Sequence, residues 1–163
     1  MKLRCSVASV VVATGTVLGS VWADVDSNTA IDKISQRLLA GDAQAREQRA
    51  ARRCHRLDIS NDGLDDVICL LTLEGFAGGN GQSFFIAALV SRAGKQQPLP
   101  VLRVGSTGER LVSFARVSVH DGVVLVDTKE YLRDNSHFDA DCCPSKVTQA
   151  RFAVQGGRLV EVP

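Results

Sequence analysis

Two almost unbroken apolar runs constrain this chain most: Val67–Leu73 and Phe84–Val90. Each is far shorter than the roughly 20 residues a membrane-spanning helix needs. Short runs of this composition read as strands, and a strand that is apolar at consecutive positions is one buried on both faces. A glycine-rich stretch, Gly75–Ser83, joins them. It lacks the Lys-Ser/Thr of a phosphate-binding loop, so a structural connection is expected, with ligand contact by a loose loop as the other reading.

From Leu57 onward the pattern stays β-like. Pro100–Val104 forms a short run, and Leu111–Val119 and Val123–Asp127 flank His120-Asp121-Gly122, a hairpin turn signal. Thr148, Ala150, Phe152 and Val154 alternate with mostly polar partners, and Gln155-Gly156-Gly157 turns into Arg158–Val162. These segments predict an antiparallel β-meander of about six or seven strands.

The residues before it read differently. In Asp24–Arg53, Ser27, Asn28 and Thr29 offer N-cap oxygens, and Ile31, Ile34, Leu38 and Leu39 recur at helical spacing. Gly41-Asp42 ends that helix. Residues 43–53, rich in Ala, Gln, Glu and Arg, predict a second, mostly solvated helix. Its arginines, Arg46, Arg49, Arg52 and Arg53, read as a wet basic face, with an anionic docking surface as the alternative. The fold class is therefore α+β and β-dominant, with a helical segment at 24–53 and a β-rich domain at 54–163.

Residues 1–23 read as a secretory signal peptide. Lys2 and Arg4 precede an uncharged, mostly apolar stretch from Cys5 to Val21, and cleavage is expected near Ala23. Cys5 is not placed as a lipid-attachment cysteine. Cleavage removes two basic residues and no acid, leaving a mature chain near neutrality with no second segment apolar enough to span a bilayer. The expected location is periplasmic or secreted. A net charge of +1 for the whole chain gives no reason to expect a nucleic-acid partner.

The mature chain keeps Cys54, Cys69, Cys142 and Cys143. An even count in an exported protein points to disulfides, and four cysteines allow three connectivities, all open at this stage. His55, His120 and His137 are too scattered for zinc-ligand spacing.

The most specific motif is Asp58–Asp66 (DISNDGLDD). Oxygens of Asp58, Ser60 and Asp62, the Leu64 carbonyl and the Asp66 carboxylate could converge on calcium, with Gly63 supplying the left-handed turn. The twelfth position is Cys69 where an EF-hand has Glu, and the following flank is a strand. The competing reading is a turn held by its own Asx hydrogen bonds, without an ion. No G-x-S-x-G, H-E-x-x-H or clear Ser-x-x-Lys arrangement is present, so no catalytic residue is assigned.

Taken in order, Asp58–Asp66, Gly75–Val90, Val117–Val126, Asp139–Ser145 and Thr148–Val160 resemble the LppP/LprE-like lipoprotein domain family of exported bacterial proteins. In that group the loop commonly reads D-L-N-G-D-G-x-x-D, from which Ser60 and Asn61 depart. The resemblance implies the architecture and an exported location. It implies no catalytic residues, and without a lipobox the lipid anchor does not carry over. The function expected is a small exported binding or structural module, calcium-stabilised and disulfide-bonded, meeting another envelope protein. The alternatives are a hydrolase inhibitor or immunity-type partner, or a small envelope enzyme with an unrecognised site.

Overall fold

The computed structural model describes residues 25–132, 139 and 143–163. The signal-peptide expectation, and those resting on His137, Asp141 and Cys142, lie outside the described residues. Among the described residues, one helix, α1 (Val25–Leu39), precedes ten strands: β1 (Arg46–Glu47), β2 (Arg53–Leu57), β3 (Asp66–Glu74), β4 (Gln82–Arg92), β5 (Lys95–Pro98), β6 (Leu102–Ser106), β7 (Arg110–His120), β8 (Val123–Glu130), β9 (Lys146–Gln155) and β10 (Arg158–Val162). All pairings are antiparallel. One sheet runs β1-β3-β4-β5, with β2 also on β3 and β6 also on β4. The other is the β10-β9-β8-β7 meander.

The two apolar runs are the centre of the molecule. In β3, Ile68 and Leu70 enter the core between the sheets, where they meet Phe84, Ile86, Phe114, Val124, Val126 and Phe152. The intervening Val67, Cys69, Leu71 and Leu73 face the other way and pack with Ile31 and Ile34 of α1. Alternate residues of a strand point to opposite faces, so a run apolar at every position needs a layer on each side. Helix, sheet and sheet supply those layers. Burying Ile31 and Ile34 contributes about 1.5–3 kcal/mol each.

The turn signals hold. Asp121 and Gly122, between β7 and β8, have φ of 51° and 72°, the two positive values a type I′ hairpin requires. Gly75 has φ +83°, and a Cβ there would lie 2.5 Å from the Gln44 carbonyl oxygen.

The second helix expected over residues 43–53 does not form. The segment is β1, a three-residue 3₁₀ turn at Arg49–Ala51, and the start of β2. Helix propensity differences are only tenths of a kcal/mol per residue and yield to tertiary pairing. Here Arg46 pairs with Glu74 and Glu47 with Leu73 along β3, and the Gln48 N–H donates to the Thr72 carbonyl at 2.9 Å. The arginines are not a uniformly wet face. Arg52 clasps Glu47 through two bonds of 2.7 Å and reaches Asp32 at 2.7 Å. Ser35 donates to the same Glu47 carboxylate at 2.6 Å, fastening α1 to β1. Arg49 also pairs with Asp32, and Arg46 with Glu74.

Candidate functional site

The most specific sequence motif and one disulfide belong to a single hairpin. Cys54 and Cys69 face each other directly on β2 and β3 and are bonded, with Cα atoms 4.1 Å apart. The ring they close contains the whole Asp58–Asp66 loop. Cys143 is also disulfide-bonded, while Cys142 lies outside the described residues.

The loop closes on its own carboxylates. Asp66 is fully buried, and its Oδ2 accepts the N–H groups of Ile59 and Ser60 at 3.1 and 2.9 Å. Its Oδ1 accepts the Ser91 N–H at 2.7 Å. Asp58 receives the amides of Asp62 and Gly63 at 3.1 and 2.9 Å, and Asp62 receives that of Leu64 at 3.0 Å. A carboxylate accepting several amides substitutes for backbone pairing the loop cannot make. Ser60 Oγ is buried without a hydrogen-bond partner among the described residues. Among those residues no group of three or more His, Cys, Asp or Glu side chains is placed to hold a metal ion.

The clamp leaves Leu64 outside, 46% exposed, between the exposed Asp62 and Asp65. Beside it opens a cleft of about 650 Å³, lined by Leu64, Asp65, Ser91, Lys95, Gln96 and the Asp26 and Ala30 positions of α1. Ser91 Oγ donates to the Asp65 carbonyl at 2.6 Å, and Ser27 Oγ donates to Gln96 Oε1 at 2.7 Å across the helix–hairpin junction. Sequence reasoning missed this cleft because β5 (KQQP) carries no strand pattern. The Ala93-Gly94 turn before it also hides its signal: Ala93 takes φ 49°, where Asn or Asp would have marked a turn.

A second buried aspartate, Asp139, collects donors in the same way. Asp139, 5% exposed, accepts the Leu132 N–H at 2.8 Å, the Ser145 N–H at 2.9 Å and the Ser145 hydroxyl at 3.0 Å. The glycine-rich connection is tied down too: Asp42 accepts the amides of Ala77 at 2.6 Å and Gln44 at 2.9 Å. Those amides hold the Asp42 carboxyl below its ordinary range. His55 is occupied structurally, its Nε2–H donating to the Phe114 carbonyl at 2.8 Å.

Among the described residues, no helix is long and apolar enough to cross a membrane. Compared with known proteins, the chain matches no family model, no curated protein and no solved structure.

Proposed function

We propose that this chain is an exported binding module of the cell envelope, and that it meets a protein partner through the disulfide-closed hairpin tip at residues 58–65 and the cleft beside it. The observation that carries the reading is the pairing of the Cys54–Cys69 bond with the buried Asp66 clamp. Together they support a pre-formed loop that presents Leu64 to solvent. A loop already held in one shape loses little conformational freedom on association. An apolar centre with a polar rim is the general layout of a protein interface, and Leu64 between Asp62 and Asp65 has that layout.

Export is part of the proposal. A structural disulfide fits an oxidising compartment, and the resemblance to the LppP/LprE-like domain points the same way. Sequencing the N-terminus of the protein recovered from the periplasm or medium should begin near Asp24. Recovery only from cytoplasm, still starting at Met1, would end this part of the reading.

Calcium enters as an addition to a loop that already closes on itself, since Asp58, Asp62 and Asp66 accept amides without it. If calcium binds, thermal melts must rise between chelator and millimolar calcium, because a ligand selective for the native state stabilises it. An unchanged midpoint removes the ion.

The partner test compares capture from envelope extract by wild type and by Leu64→Ala. A protein retained by the former and lost with the latter supports the surface. Equal capture by both puts the contact elsewhere.

A further inference from the structure

A slot of about 360 Å³ opens on the inner face of the larger sheet, away from the loop cleft. Strand register sets its floor. Arg53 of β2 stands opposite Leu70 of β3, and Thr72 of β3 stands opposite Phe84 of β4. Directly opposed residues of antiparallel strands share a face, so Arg53, Leu70, Thr72 and Phe84 all project toward the second sheet. Val112 and Phe114 of β7 close the far wall. Here β7 slips register against β8 between Ser113 and Val117.

Gln48, Gln82 and Ser113 line the slot as well, and two further polar residues, Thr72 and Arg53, have bonding capacity left to face a ligand. Thr72 is 4% exposed and lines the slot, yet its hydroxyl makes no hydrogen bond to the described residues. Arg46, Arg49 and Arg52 each have a carboxylate partner, whereas Arg53 has none among the described residues. Its Nη1 donates to the Ala50 and Arg52 carbonyls, both at 2.8 Å, which holds the guanidinium at the rim. Among the described residues, Arg53 is also the sole charged one lining the slot.

We infer that this slot binds an apolar monocarboxylate of the medium-chain fatty-acid class, with its head group on Arg53 and Thr72 and its tail along Leu70, Phe84, Val112 and Phe114. The volume lies within the range of small-ligand sites, about 300–1,000 Å³, and such sites combine apolar walls with a few placed polar groups. A guanidinium is the cation suited to a carboxylate, because its fork matches both oxygens. The Thr72 hydroxyl opens onto the slot and is free to bond a ligand oxygen there.

The test is calorimetric titration of the full chain with decanoate, below its micelle concentration, beside decanol, which keeps the tail and lacks the charge. Saturable one-site binding is expected, at least tenfold tighter for decanoate. Arg53→Met should weaken decanoate at least tenfold and leave decanol unchanged; Arg53 is exposed, so the fold should persist. Thr72→Val, which conserves volume, should weaken decanoate several-fold. The inference is overturned by the absence of saturable binding, by equal affinities of wild type for acid and alcohol, or by an Arg53→Met titration that matches wild type.

Discussion

Asp66 and Ser91 are bonded at the ends of neighbouring strands. The buried carboxylate accepts the Ser91 N–H at 2.7 Å, and Ser91 Oγ donates to the Asp65 carbonyl at 2.6 Å. One residue therefore ties the 58–66 loop both to itself and to β4, beside the cleft.

Replacing Asp66 with Ala strands the amides of Ile59, Ser60 and Ser91. Each buried group left unpaired costs about 1–3 kcal/mol, and the three are not additive. We expect a loss of about 2–4 kcal/mol in urea unfolding. A variant as stable as wild type would mean the clamp contributes nothing.

The Cys54–Cys69 bond closes a ring with a sequence separation of 15. Chain entropy for such a loop corresponds to about 3 kcal/mol. The Cys54→Ala/Cys69→Ala double variant should lose roughly that amount, and because it leaves Cys143 untouched it isolates this bond from the other.

Glu47 predicts an acid limb. Burial alone would raise its pKa, but the hydrogen bonds from Arg52 and Ser35 and the charges of Arg52 and Arg49 outweigh it, so the folded value lies below the ordinary one. A depressed carboxylate contributes stability that is present above its unfolded pKa, about 4.5, and is lost as pH falls through the folded value. Stability measured from pH 6 downward should therefore fall below about pH 4.5. Glu47→Gln should be less stable at neutral pH and show a shallower acid limb. An equally steep limb would assign the acid sensitivity to other carboxylates.

Arg110 and Glu161 connect the two edge strands of the four-stranded sheet, β7 and β10, at 2.6 Å. Arg110 also donates through Nε and Nη2 to the Val104 carbonyl of β6, and a Cβ on Gly105 would sit 2.3 Å from the Arg110 oxygen. A half-exposed ion pair contributes up to about 1 kcal/mol. Glu161→Gln should therefore shift the melting temperature only slightly, and Arg110→Ala should shift it more. The reverse order would show that the carbonyl contacts are incidental.

Much of this architecture was legible along the chain. The unbroken apolarity of Val67–Leu73 and Phe84–Val90 demanded cover on both faces, and the Asp-Gly and Gly-Gly turns marked hairpins, because these signals are local and each is read by the backbone within a few residues. Ile31 and Ile34 likewise announced the buried face of α1. What tertiary structure alone decided was where polar segments go. Residues 43–53 carry helix-forming side chains, yet part of that segment took the free edge of β3, whose unpaired backbone, together with Asp32 of α1, outweighs propensity. Lys95–Pro98 became a strand because β4 offered it a partner. The aspartates of the loop could be read as ligands or as turn-formers, since both need the same oxygens. Only the fold turned Asp66 inward to three amides and left Leu64 outside, because burial, unlike spacing, depends on residues distant in the chain.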